Sequence, residues 1–410
     1  MTHTPLPRAP QRRRLSAIRG AARYRSAVLL LAVLTLPACA APQTAPVPST
    51  SPSASASTPT PTPTATADDR SPAEQRVASM DLRERAASVV MGHVATTDAA
   101  VAGDYVRRNA LGGFLLMGAN IGADAAAVRA LTEAMVSDPA FPPLIAVDQE
   151  GGDVSRLQWD DLPSALTLKD EAPDAVRDAF SGRADLVADA GANTNFGLVA
   201  DVTADPGMFI FRRALGTDPE AAAARVAAAV DGERGTVAST LKHFPGHGAA
   251  PGDSHSGIPG SDESLEQWRA TDAVPFAAGI DAGAEMLMFG HLRYTAVDPA
   301  PASLSPTWHR IAREDLGFEG VIVSDDLGML ESSGESAYLD PVANAVSALA
   351  AGTDLVLTVV GTDAGTAPRI VDGIVAAVET GALPPERLTD AATRVAELRL
   401  NLAADRAAAG

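Results

Sequence analysis

Cysteine is nearly missing from this chain. A single residue, Cys39, stands among 410, so no internal disulfide can form and the fold must be held by packing alone. Positive charge is also scarce after the first stretch. Net charge is −19, and seven arginines between Arg8 and Arg25 conceal a still more acidic remainder. That excludes the cationic patch a nucleic-acid partner requires. The apolar run Ala27–Leu36 falls short of the roughly 20 residues a membrane-spanning helix needs. Neither HExxH nor any standard zinc spacing occurs.

What is present begins with an export signal. Seven arginines without an acid precede the apolar run, and Pro37-Ala38-Cys39 follows it. This order of charged, apolar and small residues is that of a signal peptide over 1–38. Cys39, with Leu36 three residues before it, reads as the lipidation site of a bacterial lipoprotein. Proline at 37 is atypical of such sites, and a buried thiol is the plain alternative. Arg12-Arg13-Arg14 leaves Sec and twin-arginine export both open. Residues 39–70 are almost wholly Ala, Pro, Ser and Thr. They cannot bury enough apolar surface to fold, and at about 3.1 Å per residue they form a tether reaching roughly 100 Å. The expected location is the outer face of the cell membrane, with the protein held there through lipid only and acting as a monomer. Residues 71–405 then form one catalytic-size domain.

Eight short apolar runs recur through that domain: SVVMGHV, GGFLLMG, PLIAVDQ, NFGLVADV, TVASTLKH, AEMLMFGH, GVIVSDD and DLVLTVV. Alanine-rich helical stretches separate them. Eight continuous runs, apolar on both faces, predict an α/β fold, a (β/α)8 TIM-type barrel; an open doubly wound sheet is the alternative. Five runs end in chemical groups: Asp148, Asp201, Lys242-His243, His291 and Asp325. In a parallel barrel such positions gather on the C-terminal rim, where active sites form.

The densest polar cluster is KHFPGHGAAPGDSH, from Lys242 to His255, which holds three of the chain's seven histidines. It can hold a metal or a sugar. Asp253 and His255 stand two apart on a glycine-flanked loop; a carboxylate on one imidazole nitrogen raises the basicity of the other, which suits proton transfer. Lys242 and His243 can donate to hydroxyls, and Phe244-Pro245-Gly246 sets a sharp turn. In VDQEGGDVSRL, Asp148 can accept two hydroxyl protons, Gly151-Gly152 leave room for a ligand, and Arg156 is a donor, as is Arg213 further on. Asp325 and Asp326 follow a buried strand and alternate in direction, so one faces the site. Either can cap the following helix; Asp326 is expected to do so, leaving Asp325 to attack an anomeric carbon.

Together these motifs resemble glycoside hydrolase family 3, in its β-N-acetylglucosaminidase (β-hexosaminidase) branch, over about residues 72–400. KHFPGHG followed by DSH is the most specific element; GGxVxR and SDD support it. The resemblance implies a retaining double displacement with Asp325 as nucleophile and His255 with Asp253 as acid/base. It implies Asp148, Arg156, Arg213, Lys242 and His243 as sugar-binding residues and a terminal β-linked N-acetylglucosamine substrate; the anchor and tether point to peptidoglycan as its source, and no cofactor or metal is expected. The sequence departs from the pattern at Asp153, where relatives often carry arginine, and in RRALG, which replaces RSFG. After the eighth run little sequence remains for the C-terminal sandwich domain of some relatives. Alternatives are a non-catalytic surface-anchored sugar-binding lipoprotein, or a glycosidase or phosphorylase of other β-glycoside specificity.

Overall fold

A computed structural model describes residues 70–409. The signal segment, Cys39 and all of the tether except Arg70 lie outside the described residues. Eight parallel strands form one sheet: β1 Val90–Gly92, β2 Gly113–Leu116, β3 Leu144–Val147, β4 Thr194–Val199, β5 Ala238–Phe244, β6 Met286–Phe289, β7 Val321–Ser324 and β8 Val356–Leu357. Each of the eight apolar runs supplies one strand. Neighbours in the sheet are neighbours in the sequence, and β1 also pairs with β8. A parallel bridge between Val323 and Leu355 joins β7 to β8 and closes the barrel, so the open-sheet alternative is excluded.

The strands read as continuous apolar runs because both faces are buried. In β6, Met286 and Met288 join the barrel interior, while Leu287 and Phe289 join the layer beneath the helices. In β7, Val321 and Val323 point inward and Ile322 outward. Helices follow the strands, among them Ala99–Asn109, Ala125–Met135, Pro173–Asp189, Pro219–Glu233 and Thr366–Glu379. Several start on side-chain caps, such as Asp98, Asp124 and Asp218, which accept the first free N–H groups.

The final helix, Pro385–Ala409, sends Val395 and Leu398 into the barrel-interior cluster. Its buried Arg399 donates to the carbonyls of Pro142 and Phe141 at 2.7 and 3.0 Å. Those carbonyls lie just before β3, so this helix plugs the N-terminal end of the barrel. The C-terminal end is left for chemistry. No helix of the described residues is long and apolar enough to cross a membrane.

Candidate active site

The first wall of the site is the turn after β3. A short hairpin, Gln149–Gly151 with Val154–Ser155, carries Asp148 and Glu150 at one end and leads to Arg156. Fully buried Gln149 fixes it: the side-chain oxygen accepts from the Arg156 and Leu157 N–H groups at 3.0 and 2.8 Å, and its amide donates to Ser155 and Asp160. Gly151 and Gly152 sit at φ +82° and +77°. A Cβ on Gly151 would collide with the Arg183 guanidinium, and one on Gly152 with Ser164. These glycines therefore serve hairpin packing, which corrects the expectation that they make room for a ligand.

Asp148 accepts from Lys242 Nζ at 3.1 Å and from Arg156 at 3.3 Å. Glu150, which sequence reasoning passed over, is the hub. It takes both prongs of Arg213 at 2.7 and 2.8 Å and Lys242 Nζ at 2.7 Å. Burial alone would raise its pKa, but Lys242 and Arg213 outweigh that and hold it down at about 2. The same pairing raises the Lys242 pKa against the cost of its burial. Three cations, Lys242, Arg156 and Arg213, and two anions, Asp148 and Glu150, are thus linked in one cluster, in which the buried charges Glu150, Lys242 and Arg213 are paired with one another.

The second wall is the end of β5, whose register against β6 shifts between Leu241 and Phe244. Lys242 and His243 both reach the cavity there. His243 Nδ1 lies 2.8 Å from Asp201 and its Nε2 lies 3.3 Å from Arg213. Arginine offers only donors, so Nε2 accepts and Nδ1 carries the proton given to Asp201. Asp201 also accepts the His247 N–H at 2.6 Å. Its carboxylate is fully buried and held below the usual range: burial opposes this, and His243 prevails.

Asp325 and Asp326 divide as alternation requires. Asp326 caps the helix Leu327–Ser332 through Gly328 N–H and takes the Val359 and Val360 N–H groups at 2.8 Å each. Asp325 is half-buried and lines the cavity, and the Asp326 N–H at 2.8 Å is its one side-chain hydrogen bond among the described residues. Burial pushes its pKa up, but the nearby His243, His291 and Lys242 leave it lowered overall. His291 is buried behind these residues, donating through Nε2 to the Asp326 carbonyl at 2.8 Å while Nδ1 accepts from Ser303 at 2.7 Å. Two of the strand-end groups, Asp201 and His291, are therefore braces rather than cavity walls.

The last wall is the loop after β5. His255 Nδ1 lies 2.7 Å from Asp253 Oδ1, which also accepts the His255 N–H at 2.9 Å. Both side chains are exposed, and His255 faces a cavity of about 330 Å³. Asp148, Arg156, Arg213, Lys242, His243, His255 and Asp325 all line that cavity, with Asp253 directly behind His255. His247, left without a role by its position in the sequence, is buried; neither ring nitrogen has a partner among the described residues. No group of three or more His, Cys, Asp or Glu side chains among the described residues is arranged to hold a metal ion.

A closed parallel barrel with convergent acids, cations and two imidazoles on its C-terminal rim is the architecture of a (β/α)8 enzyme. Comparison with known proteins narrows the class. The model of the glycosyl hydrolase family 3 N-terminal domain matches residues 81–398, and the chain belongs to that family; it is a hydrolase of O-glycosyl bonds. It is 37% identical over 288 residues to a β-hexosaminidase of Stenotrophomonas maltophilia, a match covering 67% of this chain and 82% of the relative. Among solved structures, a family 3 β-N-acetylglucosaminidase from Paenibacillus aligns with TM-score 0.75 at 29% identity, over 80% of this chain and 64% of that one. A β-N-acetylhexosaminidase from Beutenbergia cavernae aligns with TM-score 0.70 at 32% identity, over 78% of this chain and 99% of that one.

Proposed function

We propose that this chain removes terminal, non-reducing β-linked N-acetylglucosamine by a retaining double displacement, acting on peptidoglycan fragments outside the cell. The observation that carries the reading is Asp325: a cavity-facing carboxylate, kept ionised by its surroundings yet paired with no cation within ion-pair distance among the described residues. Its free lone pairs can attack an anomeric carbon. The names of the similar proteins supply the sugar.

In the first step Asp325 bonds to the anomeric carbon while the glycosidic bond breaks. His255, as imidazolium, gives its Nε2 proton to the departing oxygen and keeps Nδ1–H on Asp253. A glycosyl ester on Asp325 results. Neutral His255 then takes a proton from water, whose oxygen attacks the same carbon and releases Asp325. Two inversions give net retention. Asp148, Lys242, Arg156, Arg213 and His243 hold the sugar hydroxyls and the acetamide, their positions fixed beforehand by the ion cluster around Glu150. Lipidation at Cys39 and the following tether place the domain, as a monomer, beside the cell-wall polymer.

The test is hydrolysis of aryl β-N-acetylglucosaminide, β-glucoside and β-xyloside by the purified protein, with product anomers followed by NMR. Preference for the first substrate and initial release of the β-anomer are expected. Initial α-anomer, or equal rates on all three, contradicts the proposal.

A further inference from the structure

Among the described residues four large hydrophobic side chains are exposed: Val101, Phe209, Leu339 and Val360. Two of them, Phe209 and Val360, line the mouth of the site cavity. Phe209 lies in the turn-rich segment between β4 and the helix Pro219–Glu233. Its ring meets the His255 ring edge-on at 5.9 Å and the His247 ring at 5.4 Å, and the Arg213 guanidinium covers it at 5.6 Å. Also at this mouth is Asp153, bound to Arg212 through two bonds of 2.6 and 3.0 Å with both side chains exposed.

This arrangement has a direction. On the reading above, the cleaved sugar occupies the buried end, against Asp148 and Lys242. His255 must stand at the glycosidic oxygen to protonate it. Whatever lies beyond that oxygen is then beside His255 and next to the part of Phe209 that stays exposed, 37% of the residue. An aromatic ring and a hydrogen-bonding carboxylate, Asp153, at one cavity mouth suit a pyranose, whose C–H face is apolar and whose edge carries hydroxyls. A wholly apolar leaving group would gain nothing from Asp153 and Arg212. We infer that Phe209, with the Asp153–Arg212 pair, forms the leaving-group subsite and selects substrates whose departing group is a second pyranose.

The inference rests on the proposed function, so the experiment separates the two. Wild type, Phe209→Ala, Phe209→Leu and Phe209→Tyr are assayed on N,N′-diacetylchitobiose and on methyl β-N-acetylglucosaminide. Both leaving groups need the proton from His255, so any disturbance of the dyad lowers both rates alike. Only the disaccharide has a ring to stack. In the Ala and Leu variants kcat/KM for the disaccharide should fall about tenfold further than for the methyl glycoside, the scale of an aromatic contact. Tyr should restore the ratio. Equal losses on both substrates, or no loss on the disaccharide, overturn the subsite. Wild type that cleaves neither glycoside overturns the proposed function itself.

Discussion

Two aspartates on adjoining strands of the barrel differ in what surrounds them. Asp354, just before β8, is fully buried, and its carboxylate accepts from Arg313 and Arg387 at 2.5 and 2.7 Å and from the Ile322 N–H at 3.0 Å. Asp325, just after β7, accepts one N–H and opens onto a cavity. Saturated lone pairs tie three chain segments together at the N-terminal end of the barrel and leave nothing to react. Unsaturated ones at the other end can form a bond. On the function proposed above, Asp325 can react because its charge has no cation partner within ion-pair distance among the described residues.

Asp325→Asn should break this contrast most sharply. We expect kcat/KM on an aryl β-N-acetylglucosaminide to fall about 10⁴-fold or more, the scale of losing a nucleophile, with the thermal midpoint little changed. His255→Ala comes next: about 10²–10⁴-fold loss on substrates with poor leaving groups, and far less on a dinitrophenyl glycoside that departs without a proton. For Asp354→Asn the expectation is reversed. Urea unfolding should show about 3–5 kcal/mol lost, because arginines are left without their partner, while turnover per folded molecule persists.

A third buried acid sharpens the comparison by lacking cations altogether. Asp272 packs against Glu263 beneath Gly246, whose φ of +136° lets the chain pass where a Cβ would collide with the Asp272 carboxyl. Burial and the Glu263 carboxylate push its pKa up to about 8. The folded protein therefore keeps a proton there that the unfolded chain releases above about pH 4, so stability should fall as pH rises from about 4 to 8. Asp272→Asn removes that slope. Its thermal midpoint should exceed that of the wild type by a few degrees at pH 8 and by less at pH 5.

The barrel was legible because strands buried on both faces leave continuous apolar runs, and all eight runs are strands. Lys242, His243, Asp148 and Asp325 were legible as polar groups at strand ends. Glu150 was not, because its importance lies in ion pairs with Arg213 and Lys242, some 63 and 92 positions away, and no local period records them. Asp201 and His291 share the strand-end position but turn toward buried partners, and position alone cannot separate a brace from a wall. The glycines of VDQEGG misled for a similar reason: a tight glycine signals close approach, here of Arg183 and Ser164 rather than of a ligand.

The central claim is that Asp325 forms a covalent bond to the sugar. Incubation with 2-acetamido-2-deoxy-5-fluoro-glucosyl fluoride, followed by proteolysis and mass spectrometry, tests it directly. The account predicts one stable glycosyl adduct on the peptide spanning GVIVSDDLGM, mapped by fragmentation to Asp325 and not Asp326. An adduct on any other residue, or inactivation without a covalent adduct, would contradict it.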